Sequence, residues 1–118
     1  MLAPTLTTHT DTQNHHLHVS ISGPLATNQH GAALQVTCLP LPHGYGLVVD
    51  LSQVTFITDT GVDALKTMAS TAKSAGNPVA FVCSELIMRA ELVLADLDLL
   101  APVLQAPEQA LALVGRAA

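Results

Sequence analysis

Between Gly46 and Gly76 an apolar run, a short polar turn and an amphipathic segment follow one another without a break. No other stretch limits the possible folds as strongly. Leu47-Val48-Val49 shows no polar alternation, so a strand from Gly46 to Ile57 is expected to be covered on both faces. From residue 60 to 75 the period changes to that of a helix. Val62, Leu65, Ala69 and Ala72 fall on one face, with Asp63, Lys66, Ser70 and Lys73 mostly on the other. The turn between, Thr58-Asp59-Thr60, offers cap residues in a row. Asp59 reads as the helix N-cap, and Thr60 with Asp63 fits a capping box whose acid is Asp rather than Glu. Thr58 is then a turn residue. Gly76-Asn77-Pro78 fits the helix end.

The flanking segments extend the alternation of strand and helix. Residues 1–13 read as a loose arm or a first edge strand. Leu17, Val19 and Ile21 alternate with His16, His18, Ser20 and Ser22, which predicts a strand with one buried face, closed by Gly23-Pro24. A weak first helix is expected over residues 27–39, ended by a loop at Pro40, Pro42, Gly44 and Gly46. Val79 to Cys83 is a short apolar strand. A helix from Ser84-Glu85 to about Ala95 follows, then a last short strand near Val103 and Leu104. A final helix is expected from Pro107 to Val114. The order predicts an α/β domain with a mixed central sheet of four to five strands and about four helices, mainly on one face.

Composition removes several functions. The 118 residues suffice for one domain, and 49% are apolar, enough to fill one core. Aromatics are 3% and the net charge is −5, with Lys66, Lys73, Arg89 and Arg116 as the whole basic complement. Neither base stacking nor phosphate neutralisation is provided for, so no nucleic-acid partner is expected. No basic, apolar leader begins the chain, and no apolar run is long enough to insert in a membrane. Cys38 and Cys83 have no metal-binding spacing and read as buried small hydrophobes. The setting expected is cytoplasmic and reducing.

The chemistry-bearing residues form no catalytic pattern. There is no nucleophile elbow and no Gly-x-x-x-x-Gly-Lys phosphate loop, and Gly44-Tyr45-Gly46 is a plain turn. His16 and His18, two apart, share a strand face, but no acid or Cys is spaced to complete a metal site. They read as solvent-facing, and His9, His15, His30 and His43 have no regular spacing. Asp50 reads as structural. Neither enzyme activity, nor cofactor, nor metal is expected.

The stretch from Val49 to Leu65 resembles the signature of STAS domains, as found in anti-sigma factor antagonists. In that family an Asp-Leu-Ser strand leads to Phe, an apolar residue, Asp, Ser, Ser or Thr, Gly and Leu. The ungapped match puts Thr58 on the family's Asp, Asp59 on the Ser that a partner kinase phosphorylates, Thr60 on the following Ser or Thr, and Gly61 on the Gly. Gly23-Pro24-Leu25-Ala26 is similar to the family's Gly-Glu-Leu-Asp without its acids. Asp96-Leu97-Asp98 to Pro102-Val103 resembles the stretch after the third helix, and Glu108-Gln109-Ala110-Leu111 resembles a closing Glu-Glu-Ala-Leu. The resemblance covers about residues 14–116, read as a single STAS domain.

The resemblance implies a bacterial, non-enzymatic regulator of transcription that works by partner switching. Its partner would be an anti-sigma factor with serine-kinase character. Contact would centre on Thr58, Asp59, Thr60 and Gly61, with Asp63, Lys66 and Thr67 on the following helix. Asp59 would supply a standing charge where relatives carry a switchable hydroxyl, and Thr58 and Thr60 are the alternative phosphoacceptors. STAS domains also serve as subunits of transporters, including lipid ABC transporters, where the same helix docks on an ATPase subunit. Small-ligand sensing is a further family role.

Overall fold

The computed structural model describes residues 5–11, 16–25, 44–106 and 108–109. Its strands are β1 (Thr5–Asp11), β2 (His16–Leu25), β3 (Gly46–Ile57), β4 (Val79–Val82) and β5 (Val103–Leu104). Two α-helices, α1 (Asp59–Ser74) and α2 (Leu86–Leu94), connect β3 to β4 and β4 to β5, and a 3₁₀ turn covers Leu97–Leu99. The strands form one sheet in chain order, β1-β2-β3-β4-β5. β1 lies antiparallel to β2, and every other pair is parallel. The two further helices expected at 27–39 and 107–114 lie outside the described residues, save for Glu108 and Gln109, which are helical.

One face of the sheet carries the main core. Val19 and Ile21 of β2, Leu47, Val49 and Leu51 of β3, and Phe81 of β4 are buried together. α1 adds Val62, Leu65, Met68, Ala69 and Ala72, and α2 adds Met88 and Leu92. Both described helices thus pack on the same face. The opposite face is covered as well: Val48, Ala80 and Val82 are fully buried there. This two-sided burial is why β3 begins as an unbroken apolar run.

α1 ends in the motif its sequence suggests. Gly76 takes a left-handed φ of 84°. Its N–H donates to the Lys73 carbonyl at 3.0 Å, and the Asn77 N–H donates to Ala72 at 2.9 Å, closing the helix as a Schellman motif. The Asn77 side chain, buried, donates to the Tyr45 carbonyl at 2.8 Å and fastens the helix end to the start of β3.

Two readings of β2 are corrected. The strand does not close at Gly23-Pro24 but runs through to Leu25. It does so by two irregularities against β3. The pairing offset is 30 residues at His16–Gly46 and 32 at Leu25–Ile57, with shifts between Ser20 and Ser22 and between Gly23 and Pro24. Pro24 offers no N–H, and a bulge is where an internal strand tolerates that loss. At the first shift the Asp50 carboxylate accepts the Ser52 N–H at 2.9 Å, the structural role expected of Asp50.

The second correction concerns the histidines. His16 is only 5% exposed and His18 is half-buried, so neither is a free solvent-facing residue. β2 is an internal strand, and in register His18 stands beside the buried Val48. Alternation on such a strand separates two covered faces, not an inside from an outside. His18 Nε2 lies 3.9 Å from Asp50 Oδ2. Among the described residues no group of three His, Cys, Asp or Glu side chains is placed to hold a metal.

Candidate functional site

The turn after β3 is fixed from both sides. Thr58 leaves the strand in extended conformation, with φ −104° and ψ 174°. Its N–H donates to the Leu25 carbonyl at the end of β2, at 3.2 Å. Its carbonyl accepts the first helical bond, from Val62 N–H at 2.9 Å, and its hydroxyl Oγ1 accepts the Gly61 N–H at 3.3 Å. Thr58 is therefore the N-cap of α1.

This overturns the cap assignments made from the sequence. Asp59 is the first helical residue and not the cap, and Thr60 forms no capping box with Asp63. Thr58, Asp59 and Thr60 are all competent caps, so local preference leaves the start open. The strand-to-turn bond from Thr58 to Leu25 decides it, by holding Thr58 extended. The third helical position is then Gly61, which has no side chain to return a bond, so the cap is one-sided.

Gly61 is required by packing. A Cβ there would fall on the Leu25 carbonyl, and would also stand 2.9 Å from the Ile57 side chain. The helix start thus lies against the β2 backbone, which buries Gly61 with Val62 and leaves Asp59 and Thr60 on the outside. Asp59, Thr60, Asp63 and Thr67 are exposed, and Lys66 is partly so. Asp59, Asp63, Lys66 and Thr67 are spaced by three or four residues and share one stripe of α1. Of the residues expected to bind a partner, Thr58 and Gly61 build the turn, and the other five present its surface. Farther along the helix, Lys66, Thr67, Ser70, Thr71 and Leu100 border a depression of about 390 Å³.

The Asp59 carboxylate sits at the positive end of α1, where an anion is favoured without any side-chain partner. The turn can therefore hold a negative charge in the open, on backbone set by β2 and β3.

The comparisons with known proteins bear on the family and the fold. The family model described as Mlab, STAS domain, matches residues 8–106. A search of curated proteins finds no match. Among solved structures, a candidate anti-sigma factor antagonist from Thermotoga maritima superposes with a TM-score of 0.76 at 13% identity, covering 92% of this chain and 93% of that one. An anti-sigma factor antagonist from Mycobacterium paratuberculosis gives 0.69 at 23% identity, covering 93% and 94%. The murine anion transporter Slc26a9 gives 0.60 at 13% identity, with 79% of this chain matched to 18% of the transporter. At these identities the superpositions speak for the fold alone. No helix among the described residues is long and apolar enough to cross a membrane. With the family model spanning most of its length, the chain belongs to the STAS domain family.

Proposed function

We propose that this protein is a non-enzymatic binding module of the anti-sigma factor antagonist type, acting in the cytoplasm within a partner-switching system. Its partner is an anti-sigma factor of serine-kinase character, met by Thr58–Gly61 and by Asp63, Lys66 and Thr67. The observation that carries the reading is Asp59, exposed at a helix start whose backbone is fixed by Thr58 and Leu25. Phosphoserine brings about −1.5 to −2 charges and three acceptor oxygens, so Asp59 reproduces part of a phosphorylated surface permanently. Thr60, exposed, is the more accessible alternative phosphoacceptor. The Thr58 hydroxyl is engaged in the cap.

The test uses a photo-crosslinker at position 66 in the native cell to identify the partner. Charge reversal, Lys66→Glu, is then expected to weaken that partner's binding while circular dichroism stays unchanged. Unaltered binding would remove α1 from the interface. A second reading is supported by the superposition on part of an anion transporter and by the absence of a Ser at position 59. In it the same surface docks on the ATPase subunit of a transporter. Recovery of an ATPase subunit by the crosslinker would select that reading.

A further inference from the structure

α2 is apolar on more than its buried side. Met88 and Leu92, one turn apart, face the core. Leu86, Ala90 and Val93 form one exposed row, and Ile87, Glu91 and Leu94 form the next. Leu86 and Ile87 are each 68% exposed, and Leu94 is 83% exposed. A helix with one face in the core ordinarily places polar residues on the other. Beside these rows the end of β3 adds Phe56, 53% exposed. Between the two elements lies a groove of about 280 Å³, floored by Ile57 and Met88 and edged by Phe56 and Ile87.

The charges around this groove have one sign. Glu85 and Glu91 line it. The basic residue of α2, Arg89, is half-buried and donates Nη1 to the Cys83 carbonyl at 3.0 Å, so its charge is turned back on its own chain. Asp59 is exposed two residues beyond Ile57. The groove lies at the lower limit of ordinary small-molecule sites, which run to about 300–1,000 Å³. It suits an apolar side chain delivered by another polypeptide, and exposed apolar patches rimmed by charge mark such sites. A second copy of this chain would bring the same carboxylates against these. An anionic membrane surface would be repelled likewise.

We propose that the exposed face of α2, with the groove between Phe56 and Ile87, receives a partner segment whose apolar side chains are flanked by lysine or arginine. The proposal rests on the reading of this chain as a partner-binding module and names a second part of its contact surface. An amphipathic helix laid along the two rows is the recognition mode the spacing fits.

Two synthetic helical peptides test this, with identical leucine positions flanked by lysine in one and by glutamate in the other. Each is titrated into the ¹⁵N-labelled full chain. The lysine peptide is expected to move the amides of Thr55–Ile57 and Glu85–Leu94, and the glutamate peptide to leave them in place. Glu91→Lys is expected to weaken the lysine peptide about five- to tenfold, an effect that shrinks in high salt. Ile87→Asp is expected to abolish the shifts; as a surface change, it leaves the rest of the spectrum as a check on folding. Equal binding of both peptides, shifts centred elsewhere, or none at all would overturn the proposal. So would a concentration-dependent dimer in sedimentation that Ile87→Asp dissolves, which would give the face to a second copy. None of these readings depends on crosslinking at position 66, so the α1 and α2 surfaces stand or fall separately.

Discussion

Leu25 and Thr58, 33 positions apart in the chain, are joined backbone to backbone, and this bond sets where α1 begins. The Leu25 carbonyl accepts the Thr58 N–H, and Gly61 comes to rest against the same carbonyl. The end of one strand thereby shapes the turn that follows the next.

Gly61→Ala puts a methyl group on that carbonyl. Overpacking costs about 1–3 kcal/mol, and the upper end applies where the obstacle is backbone and cannot rotate away. Urea unfolding is expected to show the lower midpoint.

The cap assignment gives a ranking. Thr58→Ala removes the acceptor for the Gly61 N–H and is expected to cost about 1 kcal/mol, while Thr58→Ser costs little. Asp59→Ala removes only a favourable charge near the helix end, about 0.3–1 kcal/mol, and less in high salt. Urea midpoints of the three variants at two salt concentrations check this. A larger loss for Asp59→Ala in high salt would return the cap to Asp59.

Asp59→Ser tests the standing charge. If Asp59 holds the surface near a phosphorylated state, the Ser variant binds a kinase-type partner more tightly and gains a phosphorylation site. A like charge at the rim costs on the order of 1 kcal/mol, about five- to tenfold in affinity, and the gain shrinks with salt. Titration of the crosslinked partner against both proteins measures it. Weaker binding by the Ser variant would make Asp59 a direct contact, and equal binding would leave it a residue of the helix start and no standing switch.

Cys83 supplies a pH dependence. The thiol is fully buried, and burial raises it above its ordinary value of 9.0. The folded thiol therefore keeps its proton where the unfolded one releases it. Stability attributable to Cys83 is whole below 9.0 and declines as pH rises through the folded value. In a Cys38→Ser background, alkylation of Cys83 is expected to be slow in the native protein and fast in urea.

The parts of the fold that were legible in the sequence are those with a clean period. β3 spans Gly46–Ile57 as its apolar run implied, and α1 departs from its expected limits by one residue at each end. β4 and β5 stand where short apolar segments were noted. What was not legible depended on neighbours in space. A proline inside β2 reads as a stop until β3 is seen to bulge opposite it. His16 reads as exposed until β2 is known to be internal and both its faces covered. The turn's composition pointed to a helix start, but three competent caps in a row could be separated only by a bond to Leu25. The apolar outer face of α2 was present in the letters Leu86, Ile87, Val93 and Leu94, yet a short segment apolar all round does not say which side is covered.

The two bulges between β2 and β3 work as a spacer. In an unbroken ladder Leu25 would stand opposite Thr55, about 7 Å short of Ile57, and its carbonyl would meet neither Thr58 nor Gly61. The turn keeps its address only while β3 spends two more residues than β2 over the same length. Chains built this way can be aligned on the turn or on the start of the strands, but not on both without a two-residue gap. One residue deleted between Leu51 and Thr55 would carry the entire turn and the start of α1 down a step and swing them toward the other side of the sheet.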